Sequence, residues 1–199
     1  FYQELIETRD GFPDGTRFVL ENPKLFPGVL GTVADMFQID ELNRDALESG
    51  LGDLTHCLIV KDKNTALKAM AIATKKQAGN LTLIPLKEAK SLKVSLKKLP
   101  NAKNIVGRAS ELVSTIKELR VLADYLLGNL LVVDDLKAAL ASPDLEGWAL
   151  VDQSGSYSGS DFILKNRQFS DYGNVIGRKK KLDSISSDLI MMLTKESDI

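Results

Sequence analysis

The stretch GVLGTVADMFQIDELNRDALESGLG, residues 28–52, returns in weaker form as VGRASELVSTIKELRVLADYLLG at 106–128. Subtracting 31 from 107 aligns Gly31 with Gly107 at an offset of 76. At that offset Leu30 meets Val106, Asp35 meets Glu111, Met36 meets Leu112, Ala46 meets Leu122, Leu51 meets Leu127 and Gly52 meets Gly128. Beyond this point the second copy shortens. CLIVKDKNTALKA (57–69) answers to LLVVDDLKAAL (130–140), and GNLTLIPL (79–86) to GWALVDQS (147–154). Each copy reads helix, Leu-Gly, strand, helix, glycine, strand. Several matches in one order point to an internal duplication. Two copies of a helix–strand unit predict an α/β (α+β) fold with two pseudo-repeated subdomains, over 20–100 and 101–176.

A chain of 199 residues with 44% hydrophobic content can bury a sizeable core. No apolar run approaches the roughly 20 residues that span a bilayer, and no signal-peptide pattern opens the chain, so no membrane partner is expected. The single cysteine, Cys57, excludes an internal disulfide and suits a reducing cytoplasm. The net charge of −1 conceals an uneven distribution. Residues 1–60 carry 4 basic and 11 acidic side chains, 61–120 carry 14 and 4, and 121–199 carry 8 and 12. Such a basic middle third attracts a polyanion if the fold gathers its lysines on one face.

The two ends have a different pattern. KLDSISSDLIMMLTKESDI spaces Leu182, Ile185, Leu189 and Met192 as an a/d seam, and FYQELIETRDG sets Phe1, Leu5 and Ile6 on one helical face before Gly11 and Pro13. Either these are terminal helices docked on the globule, or they are stubs (1–12 and 178–199) of a longer antiparallel coiled coil. The opening FYQELIE, without a methionine, favours the stubs.

No catalytic constellation is legible. His56 is the only histidine and adjoins Cys57. Neighbours on a strand point to opposite faces, so they cannot form a catalytic Cys–His pair. One His and one Cys do not close a zinc site, and no metal or cofactor is expected. GNVIGRKKK is one residue short of a P-loop and lacks the hydroxyl that would hold magnesium. The carboxylate pairs Asp40-Glu41 and Asp134-Asp135 are read as flanking or capping helices.

Two basic clusters stand out. KEAKSLKVSLKKLPNAK holds lysines at 87, 90, 93, 97, 98 and 103, and Arg178 with Lys179, Lys180 and Lys181 forms the second. They are either solvated lysines or a surface that contacts phosphates without reading sequence. On the second reading Lys97, Lys98, Arg167, Arg178, Lys179, Lys180 and Lys181 touch DNA, weakly and non-specifically. Tyr157, Phe162, Phe169 and Tyr172 lie near the second cluster and are read as core or interface before base-stacking.

The ordered features of residues 20–182 resemble the hinge domain of SMC (structural maintenance of chromosomes) proteins. They are Gly28 and Gly31 before a helix, the acidic Asp35, Leu51-Gly52, the strand Leu58 to Val60, and LTLIPL. In the second half they are YLLGNLLVVDDLKAAL and then GRKKKL. The resemblance implies a dimer that joins two coiled-coil arms of a cytoplasmic, chromosome-associated ATPase whose heads lie elsewhere, and no catalysis in this fragment. It implies a homodimer, with a heterodimer left open. The dimer strand falls in SGSYSGSDFILKNRQ, with Gly155, Gly159, Phe162, Ile163, Leu164, Lys165 and Asn166 as interface residues. Hinge domains commonly carry Gly-Gly on that strand, and here there is none. The competing expectation is a small α/β ligand-binding or enzymatic domain with a cleft between its subdomains.

Overall fold

The computed structural model of the chain describes residues 11–159, 164–165, 176–177, 182–188 and 190–191. Helix α1 (Asp14–Glu21) follows Pro13, whose fixed φ suits a helix start, and buries Thr16 and Val19. Strand β1 (Val29–Thr32) runs into α2 (Val33–Met36) through a capping box: the Asp35 amide donates to Thr32 Oγ1 at 3.1 Å, and the Thr32 amide to Asp35 Oδ2 at 3.1 Å. Strand β2 (Gln38–Ile39), a 3₁₀ turn (Glu41–Asn43) and α3 (Arg44–Leu51) come next. Strand β3 (Leu58–Val60), α4 (Lys63–Lys75), β4 (Leu83–Pro85) and α5 (Leu86–Ala89) complete the first half.

The second half repeats this order with β5 (Ile105–Arg108), β6 (Val113–Ser114), a 3₁₀ turn (Lys117–Leu119), α6 (Arg120–Leu127), β7 (Leu130–Val133), α7 (Leu136–Leu140) and β8 (Ala149–Asp152). It then adds β9 (Tyr157–Ser158) and β10 (Leu164–Lys165). The chain is therefore mixed α/β. One sheet has the order β1-β3-β4, a second β10-β9-β8-β7-β5, and β2 pairs with β6. In both large sheets the first strand of the copy runs antiparallel to its neighbour, and the next pair is parallel. β1 and β5 share an irregularity at the same place, between Val29 and Gly31 and between Ile105 and Gly107. Gly31 meets it with a φ of 144°, open only to glycine without strain.

Most of the repeat alignment stands in the ladders, and one part needs correction. Thr32 pairs with Leu58 and Arg108 with Leu131, an offset of 73 for the second strand. Leu58 pairs with Leu83 and Leu131 with Leu150, which makes the last offset 67. Aligning Gly79 with Gly147 implies 68. Those glycines lie in turns, where one residue more or less costs little, whereas the buried ladder fixes register.

A single buried cluster takes Phe37, Leu47 and Leu51 from the first half and Leu119, Leu122 and Leu127 from the second. Packed side chains thus join the halves where a cleft was the competing expectation. Residues 182–188 are helical, with Ile185 38% exposed. Phe1, Leu5, Ile6, Leu189 and Met192 lie outside the described residues, and so does the pairing of the two seams.

Candidate dimer edge and basic surface

The turn between β8 and β9 is built on one carboxylate. Asp152 Oδ1 accepts from the Ser154 amide (3.0 Å), the Ser154 hydroxyl (2.6 Å) and the Ser156 amide (3.0 Å). Gly155, at φ 86°, closes that turn, and its carbonyl accepts from Ser49 Oγ of α3 at 2.6 Å. Gly155 is thus a turn residue anchored to the first half. Gly159 is buried at the end of β9. Among the described residues β10 lies outermost in its sheet, with Leu164 opposite Ser158 and Lys165 opposite Tyr157. The Leu164 side chain is 66% exposed. Beside it a groove of about 540 Å³ is lined by Leu136, Leu140, Tyr157 and Leu164, with Asp135 and Asp152 among its polar residues. Phe162, Ile163 and Asn166 lie outside the described residues.

The lysine-rich segment crosses from α5 to β5. Lys98 is exposed there, as are Lys93 and Lys103. Lys97 is engaged: its Nζ donates to the Gly147 carbonyl at 3.3 Å and stands 5.5 Å from the Trp148 ring centroid. Arg108, 3% exposed, approaches the same ring at 5.5 Å. It donates from Nη1 to the Gly128 carbonyl (2.8 Å), from Nη2 to the Lys97 carbonyl, and from Nε to Glu111 (3.2 Å). Sequence reasoning missed Arg108 and Trp148, because nothing in a sequence marks a buried arginine. A further basic group surrounds the start of α4. The Asp62 carboxylate caps that helix through the Thr65 amide at 2.8 Å. It titrates below its ordinary range because Thr65 hydrogen-bonds it from backbone and hydroxyl, with Lys61 and Lys87 assisting.

Arg167, Arg178, Lys179, Lys180 and Lys181 lie outside the described residues. Just before the second cluster, Ile176 is 1% exposed and its amide donates to Glu48 Oε1 of α3. Gly177 follows at φ 82°, with the Arg44 guanidinium 3.3 Å from where a Cβ would stand. Ile176 and Gly177 are therefore held against the first half.

His56 ends a 3₁₀ turn and meets the Phe12 ring edge-on at 5.2 Å. Cys57 is buried, and its thiol is pushed up by burial and by the negative Asp53, against a hydrogen bond from Thr82. Such a thiol is a poor nucleophile. Among the described residues no three His, Cys, Asp or Glu side chains are placed to hold a metal. Among them, too, no helix is long and apolar enough to cross a membrane. Asp135 caps α7 through the Ala138 amide at 3.0 Å, the capping role expected of it.

The profile of the SMC proteins' flexible hinge domain matches residues 26–142, more than half of the chain. The chain is 24% identical over 194 residues to the chromosome partition protein Smc of Halothermothrix orenii, covering 95% of this chain and 16% of that one. Against Smc of Bacillus subtilis it is 25% identical over 209 residues, with coverage of 97% and 17%. Against that of Lactiplantibacillus plantarum it is 30% identical over 142 residues, with coverage of 70% and 12%. The chain thus spans under a fifth of these curated relatives. Its fold is similar to an SMC hinge domain of Geobacillus stearothermophilus solved as an asymmetric dimer (TM-score 0.83, 23% identity, 98% of this chain and 80% of that one). It is also similar to the hinge domain of Pyrococcus furiosus SMC (TM-score 0.63, 19% identity, 82% and 84%).

Proposed function

The chain belongs to the family of SMC flexible hinge domains, and on that premise we propose that it is the dimerisation module of a chromosome-organising SMC ATPase, joining two coiled-coil arms in the cytoplasm. The observation that carries the reading is β10, outermost among the described strands of its sheet, with an exposed Leu164 beside an apolar groove. Unpaired edges invite strand addition. The three-stranded sheet ends at β4, which pairs only with β3 among the described residues. Adding β10 of one chain to β4 of a second, twice about a two-fold axis, gives a closed homodimer. The relevant measurement is light scattering coupled to size exclusion. The chain should elute at twice its 21.8 kDa, and Leu164→Glu should give a folded monomer. A wild-type monomer at micromolar concentration would sink the reading.

The module also contacts DNA, weakly and without sequence preference. The exposed lysines between α5 and β5, and those around Asp62, support this. Affinity for a short duplex should fall steeply as salt rises, because counterion release drives such binding. The absence of any anisotropy change at low salt would remove this part while leaving the dimer reading intact.

A further inference from the structure

We propose that Arg108 is a positioning residue: together with Trp148 it clamps the lysine-rich segment 91–104 into a preformed phosphate-binding ridge. The inference rests on the DNA reading above and names the device that makes one of its surfaces rigid.

Residues 92–102 form neither helix nor strand. An untethered segment of this kind would lose conformational freedom on binding a polyanion, and that loss would weaken the complex. This segment is tethered instead. The Leu96 side chain lies over Gly128, where a Cβ would stand 2.5 Å from Leu96 Cδ2. The Lys97 carbonyl accepts from Arg108, and the Lys97 ammonium is held by the Gly147 carbonyl and the Trp148 face. Ala102 packs on the buried group that contains Trp148 and Leu150. Lys97 is thereby occupied, and Lys93, Lys98 and Lys103 are left facing solvent.

The duplication shows that the strand end itself does not require an arginine. At the offset of 76, Arg108 and Glu111 stand where Thr32 and Asp35 stand in the first copy. There the threonine and the aspartate form the capping box of a helix. In the second copy the same two positions hold an ion pair whose cation reaches across to the lysine segment. Burying a guanidinium is costly unless its donors are met and its face is covered. Here carbonyls, a carboxylate and an indole meet it. At these paired positions the cost is incurred in the half that has an irregular basic segment to hold.

The chain has one tryptophan, so fluorescence reports on the clamp directly. The experiment measures anisotropy of a labelled 30-base-pair mixed-sequence duplex across a salt series, and acrylamide quenching of Trp148, in the full chain. Arg108→Lys should weaken DNA binding about tenfold and make Trp148 more quenchable. The slope of log affinity against log salt should stay unchanged, because Arg108 touches no phosphate. Leu96→Ala, at an exposed position that threatens folding less, should do the same to a smaller degree. Lys98→Gln should instead reduce the slope by about 0.9. If Arg108→Lys and Leu96→Ala free the tryptophan without weakening binding, the clamp is structural only and the proposal fails while the DNA reading survives. If neither variant frees it, or if Lys93→Gln, Lys98→Gln and Lys103→Gln all leave the slope untouched, the segment is not the ridge. Failure of the wild-type chain to bind at any salt would take both ideas down.

Discussion

Gln38 and Ser114, 76 residues apart, face each other directly across β2 and β6. They are the same position in the two copies. An antiparallel pair in which a residue meets its own equivalent is symmetric about its midpoint, so a local two-fold relates the halves there. Ile39 and Val113, the next pair, are buried in the shared core, while Gln38 and Ser114 are exposed. Each short strand would be a bare edge alone, and the duplication lets each one cover the other.

Because the core draws on both copies, neither half should fold by itself. Fragments 11–100 and 101–199, expressed separately, should lack a cooperative urea transition, which circular dichroism would detect. A sharp transition in fragment 11–100 alone would mean that Phe37, Leu47 and Leu51 find sufficient cover without Leu119, Leu122 and Leu127.

Gly15 should tolerate no side chain. A Cβ there would stand 2.2 Å from the Asn80 carbonyl oxygen, and backbone cannot swing aside as a side-chain tip can. Gly15→Ala is expected to cost about 2 kcal/mol, read as a lower urea midpoint. An unchanged midpoint would show that α1 shifts freely against the turn at Gly79.

Glu48 and Asp124 are repeat equivalents with different occupations. Asp124 accepts from Arg120 at 2.8 Å within its own helix, while Glu48 accepts the buried Ile176 amide. Glu48→Ala should cost about 1–3 kcal/mol by leaving that amide unpaired. Glu48→Gln, still an acceptor, should cost clearly less. Equal losses in the two variants would assign the effect to the charge and not to the tether.

Much of this architecture is legible in the sequence, for reasons visible in single residues. Thr32 to Leu51 and Arg108 to Leu127 keep one offset because both copies run from a first strand through a short strand and a 3₁₀ turn into a helix, so their apolar positions fall together. β2 and β6 were not legible: two residues are too few to carry a period. α1 was missed because Gly11 and Pro13 read as a break, whereas the proline opens the next helix. The edge strand expected within 155–167 is present as β10, but the Asp152-centred turn that places Gly155 ahead of β9 shows only in the hydrogen bonds. The basic segment was visible as lysines; its fastening was not, because Arg108 and Trp148 are 40 residues apart.

Cys57 should behave as an inert thiol. Burial, with Asp53, raises it above its ordinary 9.0, so the folded chain holds the proton longer than the unfolded chain. Stability is therefore full below pH 9.0 and declines as pH rises past it. Cys57→Ala should flatten the alkaline fall in urea midpoint relative to wild type. Native thiol labelling at pH 8 should run about a hundredfold slower than in denaturant. Equal labelling rates would overturn the assignment.

The offset stays at 76 from β1 and β5 to the ends of α3 and α6, then becomes 73 and 67. Length is thus held constant over the segments through which the copies grip one another, and drifts on their far sides. A one-residue insertion before β2 would push Gln38 out of step with Ser114 and turn Ile39 outward, whereas the turn ahead of β4 or β8 could absorb it. A change of loop length is therefore tolerable ahead of β4 or β8 and ruinous at 33–43: the molecule has one side open to revision and one side that must keep count.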